Sequence, residues 1–95
     1  MKIEDIRRLH QKKHREESGH FLLEGEHLVL ELQEAAVKNP RLRTSEIYLT
    51  RDFGHWRSQL AVHEVTSRQM EQISETRTPQ GIVAVAPLLP APPPL

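Results

Sequence analysis

Four short strand-like runs, separated by segments with helical patterning, limit how this chain can fold more than any other feature. The runs cover residues 20–24, 46–50, 61–65 and 82–86. They are rich in β-branched, aromatic or aliphatic residues, and polar, Gly- or Pro-containing turns bound most of them. Strands that alternate with helices typically form one sheet covered by helices on both faces. We therefore predict an α/β layered domain.

The segments between the runs carry apolar residues at helical spacings of three and four. They are residues 3–15, the stretch between Gly25 and Asn39, residues 53–60 and the stretch that follows Thr66. Thr66 and Gln69 have the spacing of a capping box, in which each side chain accepts a hydrogen bond from the backbone N–H of the other residue. In the third segment, Trp56 and Leu60 are expected to point inward. The four segments are predicted helices.

Length and composition exclude several classes of protein. With 95 residues, 37% of them hydrophobic, the chain supports one small domain. Without cysteine it has neither disulfides nor thiolate metal ligands, as expected in a reducing compartment. The sequence contains no apolar run near the roughly 20 residues that span a bilayer, and its charged start lacks a signal-peptide core. We expect a cytoplasmic protein that does not contact membranes.

The first predicted helix has a basic face, although the chain has no net charge. Residues 1–15 contain six Lys or Arg against two acidic residues. At about 100° per residue, Arg8, Lys12 and Arg15 gather opposite the apolar positions, with Lys13 beside them. Arginine and lysine suit phosphate, the former as a planar donor fork and the latter as a point charge. Basic helix faces also occur simply for solubility, so the pattern alone leaves both interpretations open.

Gly25 lies where the first strand meets the second predicted helix. A glycine at such a junction can bring backbone N–H groups and a helix N-terminus towards an anion. A plain turn explains one glycine equally well, because the glycine-rich patterns of nucleotide-binding loops are absent. The residue is a candidate contact to an anion and also a candidate turn former.

No residue set indicates catalysis or metal binding. His10 and His14 have the spacing of helical zinc ligands, but no third ligand accompanies them, so ordinary surface histidines are the simpler interpretation. The serines lie outside the GxSxG pattern of a nucleophile elbow. The four aromatic residues are better explained by core packing than by stacking on unpaired bases. We therefore expect neither a catalytic residue nor a metal ligand.

The order of three sequence motifs resembles a known family. The stretch LHQKKHREESGHFLLEGEHLVLEL is followed after an interval by SETRTPQGIVAV. Their distinctive parts are the KKxR run (Lys12, Lys13 and Arg15), FLLEG (21–25) and TPQGI (78–82). In this order, they resemble the N-terminal substrate-binding domain of SpoU/TrmH-type RNA 2′-O-ribose methyltransferases.

The resemblance implies a fold and a domain organisation. The fold would be a three-layer α/β/α sandwich with a small mixed sheet of about four strands, similar to ribosomal proteins that bind kinked RNA. Residues 1–86 would form the substrate-binding domain and residues 87–95, which hold most of the prolines, a linker towards a C-terminal methyltransferase domain outside this chain. That further domain would bind S-adenosylmethionine and dimerise. The present domain would have no cofactor and no enzymatic activity, and alone it would be a monomer.

The resemblance also implies which residues contact RNA. Lys12, Lys13 and Arg15 would bind the backbone of ribosomal or transfer RNA, and Arg8 joins them from the helix-face argument. Gly25 and Gln80 are further RNA-binding candidates, although each also serves to shape a turn or loop. An alternative is a protein-interaction module that docks on its own catalytic domain or on a ribosomal protein.

Overall fold

The computed structural model describes residues 1–90 and contains one mixed sheet of four strands. The strands are β1 (His20–Glu24), β2 (Glu46–Leu49), β3 (Ala61–Glu64) and β4 (Ile82–Pro87). Their order across the sheet is β1-β4-β2-β3. β2 and β3 run parallel, whereas β4 is antiparallel to both of its neighbours. The four predicted strands are therefore confirmed.

Helices cover both faces of this sheet. They are α1 (Ile3–Arg8), α2 (Lys12–Ser18), α3 (Glu26–Lys38) and α4 (Ser67–Ile73), with 3₁₀ turns at Pro40–Thr44 and Arg51–Phe53. α1 and α4 pack together on one face, and α3 covers the other face. The predicted three-layer sandwich is confirmed. Among residues 1–90, no helix has the length and apolar character needed to cross a bilayer.

Each face of the sheet has its own hydrophobic core. Val29 and Leu32 of α3 pack with Ile47, whereas Ile6 of α1 and Met70 of α4 pack on the opposite face. β4 contributes to both cores, because its successive side chains alternate between the faces. This explains why its sequence is apolar almost without interruption. The aromatic residues pack in or against these cores, as predicted.

The prediction of a single first helix over residues 3–15 was wrong, because α1 ends at Arg8. The N–H groups of Leu9 and His10 bond to carbonyls three residues earlier, at 3.0 and 3.1 Å, which closes the helix with a 3₁₀ turn. The Arg15 guanidinium then donates to the carbonyls of Leu9 and His10 at 2.9 and 3.1 Å. Carbonyls at a helix end need such partners, so this arginine supports the break between α1 and α2.

The predicted helix at residues 53–60 was also wrong. Only Arg51–Phe53 forms a 3₁₀ turn, and the Ser58 hydroxyl accepts the backbone N–H of Leu60 at 3.0 Å. Serine side chains that bond to nearby backbone in this way compete with helix formation. The prediction that Trp56 and Leu60 point inward is nevertheless confirmed. Leu60 is buried, and the partly buried Trp56 packs against the core on the α3 side of the sheet.

The ends of three strands differ by one residue from the prediction. β2 ends at Leu49 and β3 at Glu64, each one residue early. β4 continues to Pro87, which pairs with His20, so the first residue of the predicted linker belongs to the sheet. Proline lacks an N–H donor, but β4 is paired with β2 only as far as Val85, so at Pro87 the sheet has a partner strand on one side alone and the missing donor is tolerated. Residues 91–95 of the predicted linker lie outside the described residues.

The capping box predicted at the start of α4 is present in full. The Thr66 hydroxyl accepts the N–H of Gln69 at 3.1 Å, and the Gln69 side chain accepts the N–H of Thr66 at 2.9 Å. Thr66→Ala is expected to lower the free energy of unfolding by about 1 kcal/mol, measured by urea denaturation. Ser67→Ala, at the neighbouring exposed position, is the control and should change it by less than about 0.5 kcal/mol. Equal effects of the two variants would contradict this role of Thr66.

Candidate nucleic-acid interface

The short helix α2 places two lysines at its exposed start. Lys12 and Lys13 are its first two residues, immediately after the turn that ends α1. The Lys12 ammonium lies 3.9 Å from Glu16, a separation at which an exposed ion pair contributes little. The charge of Lys12 therefore remains available to an external anion.

Arg8 is separated from these lysines by the break between α1 and α2. It is the last residue of α1 and lines a depression with His14 and Glu17, whereas Lys12 lines a different depression with Arg15. Arg8, Lys12 and Arg15 were predicted to share one face of a single helix, but Arg8 belongs to α1 and the other two residues belong to α2. An RNA contact by Arg8 remains a prediction.

Arg15 is half-buried, and part of its donor capacity is used within the protein. One guanidinium nitrogen holds the two carbonyls at the end of α1. The arginine consequently fixes the position of α2, and with it the direction in which Lys12 and Lys13 point. Its predicted contact with RNA would have to use the remaining guanidinium donors.

Gly25 and Gln80, distant in sequence, meet at the start of α3. The backbone of Gly25 has a φ of +100°, and a Cβ on this residue would lie 2.9 Å from the Gln80 amide oxygen. That oxygen accepts the N–H of Glu26, the first residue of α3, at 3.2 Å. Gln80 therefore occupies one of the free N–H groups that an anion would otherwise bind. This explains the need for glycine at residue 25, while the predicted RNA contacts of both residues remain predictions.

The loop formed by residues 74–81 is tied to the end of β1. Glu24 accepts hydrogen bonds from the Ser74 hydroxyl, at 2.8 Å, and from the backbone N–H of Glu75. A cavity of about 230 Å³ lies between this loop and the β1–α3 junction. Arg77 is exposed within the loop. Sequence reasoning did not select Arg77, because nothing local shows that its polar loop is fixed to a strand more than fifty residues away.

One depression connects the start of α2 with this loop. It has a volume of about 440 Å³, and Lys12 and Arg15 line it together with Leu22 and Glu75. We call Lys12 and Lys13, together with the exposed loop residues Glu75, Arg77 and Gln80, the α2–loop face. Lys12 and Glu75 line the same depression, so the KKxR run and the start of the loop meet there.

A second polar cluster lies on β2 and β3. The Tyr48 hydroxyl donates to Glu46 at 2.7 Å, and this bond lowers the pKa of the Glu46 carboxyl. Burial and the nearby Glu46 carboxylate raise the pKa of Tyr48, so both groups keep their ordinary charge states at neutral pH. His63 stacks on Tyr48 with a centroid separation of 4.9 Å. These contacts link the two parallel strands.

His10 and His14, which have the sequence spacing of helical zinc ligands, contact different partners. A ring nitrogen of His10 lies 2.7 Å from the carbonyl of Ile73, whereas His14 lies 3.5 Å from Glu17. Within residues 1–90, no three His, Asp or Glu side chains are grouped closely enough to hold a metal ion.

Comparisons with known proteins agree with this fold. Over 87 residues, the chain is 36% identical to the 23S rRNA (guanosine(2553)-2′-O)-methyltransferase RlmP of Bacillus subtilis, a match that covers 88% of this chain and 33% of that protein. A TrmH-family RNA methyltransferase structure from Porphyromonas gingivalis has a TM-score of 0.67 and 24% identity, covering 98% of this chain and 36% of the other. The AdoMet-bound rRNA methyltransferase of Sinorhizobium meliloti has a TM-score of 0.70 and 24% identity, covering 95% and 34%.

The chain thus spans about a third of the length of these relatives. A family model described as the MRM3-like substrate binding domain matches residues 1–84, nearly all of the described fold. That range contains all three motifs on which the resemblance seen in the sequence depends, KKxR, FLLEG and TPQGI. The chain belongs to the family of MRM3-like substrate binding domains, and its fold is that of the N-terminal domain of TrmH-type methyltransferases.

Proposed function

We propose that this domain binds ribosomal RNA and presents it to a separate S-adenosylmethionine-dependent domain that methylates a ribose 2′-hydroxyl. The Bacillus relative is named as a 23S rRNA 2′-O-methyltransferase, and the Sinorhizobium rRNA methyltransferase was solved with AdoMet bound. The observation that carries the proposal is the α2–loop face, where exposed lysines lie beside a loop anchored to the sheet.

The domain would act by binding alone. Contacts to phosphate fix the register and orientation of an RNA without reading its bases, and lysines supply them well. Holding the RNA on a tethered domain raises its effective concentration at the catalytic domain. Because the chain has no net charge, affinity must come from the local cations of the α2–loop face.

A titration with RNA tests this proposal. The probe is a hairpin of large-subunit ribosomal RNA that contains guanosine 2553, the nucleotide in the name of the Bacillus relative. Amide resonances of Lys12, Lys13 and Gln80 are expected to shift at low salt, and log K should fall with log salt with a slope of about −2 to −3. The absence of shifts at low salt would contradict an RNA-binding role.

A groove between α3 and the segment before β3 favours a second candidate, docking of the catalytic domain. The groove has a volume of about 700 Å³, and Leu30 and Val37 on its α3 side are 44% and 63% exposed. Amide hydrogen exchange at both residues, compared between the isolated domain and the full-length protein, tests this candidate. Slower exchange in the full-length protein would support docking there, and equal rates would contradict it.

A further inference from the structure

The carboxylate of Glu24 holds the loop of residues 74–81 at the loop's first two residues. Glu24 is the last residue of β1, and it accepts from the Ser74 hydroxyl and from the Glu75 backbone N–H. The Ser74 oxygen in turn lies 2.9 Å from the Thr76 hydroxyl and accepts the Thr76 N–H at 3.2 Å. Hydrogen bonds to an ionised acceptor are stronger than neutral ones, so this end of the loop is firmly fixed to the sheet.

The other end of the loop is held at the same junction. Gln80 bonds to the first N–H of α3, and the carbonyl of Gly81 accepts the N–H of Thr50 at 2.9 Å. Both ends of the loop are therefore anchored beside the β1–α3 junction. An anchored loop loses less conformational entropy on binding than a free one, which favours affinity.

Between these two anchors the loop exposes one cation. Thr76, Arg77 and Thr78 are all exposed, and within residues 1–90 the Arg77 guanidinium forms no ion pair or side-chain hydrogen bond. Glu75, which directly precedes these three residues, lines the same depression as Lys12. Arg77 follows Glu75 by two residues in the chain, so it is the loop cation nearest in sequence to this depression.

We propose that Glu24 is a positioning residue for RNA binding, which holds the loop so that Arg77 contacts a backbone phosphate of the RNA. This inference rests on the proposed function. The carboxylate itself is engaged by two donors beneath the loop, so it acts through Arg77 and not by touching RNA. Glutamine is a weaker anchor, because its neutral amide has one acceptor oxygen in place of two and loses the charge assistance that a carboxylate gives to both hydrogen bonds.

The direction in which Glu24→Gln changes the Kd for RNA distinguishes a positioning role from a purely electrostatic effect. Glu24→Gln removes a negative charge close to the RNA face, and charge alone would therefore make binding tighter. Loss of the anchor should instead weaken binding of the rRNA hairpin about threefold to tenfold, measured as Kd by fluorescence anisotropy. Glu71→Gln is the matched control, since it removes the same charge from the neighbouring helix α4, where the exposed Glu71 carboxylate makes no side-chain hydrogen bond or ion pair within residues 1–90. Its Kd should be unchanged or slightly lower.

A double-mutant cycle shows whether Glu24 acts through Arg77. Arg77→Ala should weaken binding about threefold to tenfold and reduce the salt slope by about 1. In the Arg77→Ala background, Glu24→Gln should no longer weaken binding, and only the small electrostatic gain should remain, since coupled residues are not additive. Full additivity, or a Glu24→Gln variant that binds as tightly as the wild type, would overturn the inference.

Two further measurements keep the test decisive. Ser74→Ala removes one donor to Glu24 and is expected to weaken RNA binding in the same direction but less, again only when Arg77 is present. It replaces Glu24→Gln if that variant does not fold, and a loss that persists without Arg77 would contradict the inference. Amide exchange at Glu75 should be faster in Glu24→Gln than in the wild type.

If the wild-type domain does not bind the hairpin, the proposed function itself fails. Binding that depends on Lys12 and Lys13 but not on Arg77 refutes only the positioning role.

Discussion

Replacing Lys12 and Lys13 together by glutamate should lower the affinity of the domain for the rRNA hairpin about 30-fold at low salt and reduce the salt slope by about 2. Both lysines are exposed at the start of α2, and neither side chain donates a hydrogen bond within residues 1–90. Each can therefore neutralise one phosphate, and glutamate replaces that attraction by repulsion. Anisotropy titrations at several salt concentrations measure both quantities.

The control makes the same change of charge elsewhere on the molecule. Lys38 ends α3, and Arg41 lies in the 3₁₀ turn that follows, on the opposite face of the sheet from α1 and α4. At about 0.1 M salt, Lys38→Glu with Arg41→Glu should change Kd by less than about threefold, because at that ionic strength exposed charges more than about 10 Å apart are largely screened. Equal losses in the two double variants would show that net charge, and not the α2–loop face, governs binding.

Gly81→Ala should lower the free energy of unfolding by about 2 to 4 kcal/mol, because it combines backbone strain with a steric clash. Gly81 has a φ of +101°, which side-chain-bearing residues rarely adopt. A Cβ would also lie 2.8 Å from the Thr50 hydroxyl and 3.3 Å from the Phe53 ring. Thr50 is buried, so it has little room to move away. Urea denaturation measures the change.

Gly19→Ala separates the two causes. Gly19 also has a positive φ, of +70°, but a Cβ there would meet no atom within 4 Å. This variant should therefore lose only about 1 kcal/mol, from backbone strain alone. If the two alanine variants lose the same free energy, the contact with Thr50 and Phe53 has no energetic significance.

Local sequence patterns were sufficient for most of the fold. α3 has apolar residues at helical spacing and ends before Asn39-Pro40, and Thr66 with Gln69 marks the start of α4. β4 is apolar throughout because it is buried on both sides. In these elements, the period of the apolar residues and the end signals agree, which is when sequence patterns are most reliable.

Tertiary contacts explain what the sequence did not show. The basic helix breaks at Leu9 because Arg15 and the His10 contact to Ile73 stabilise the turn. The same holds for the candidate interface. The lysines were found from the sequence, but the anchoring of the loop depends on a contact between Glu24 and Ser74, which no short-range pattern encodes.

The outermost strand β3 has consequences for the behaviour of the protein in concentrated solution. It is four residues long, all four side chains are exposed, and two of these are His63 and Glu64. Open strand edges are templates on which other chains add strands and begin to aggregate, and short edges with charged groups resist this. Replacing His63 and Glu64 by valine would extend an apolar, β-prone edge from Val62. Such a protein would keep its fold and become prone to form intermolecular sheet.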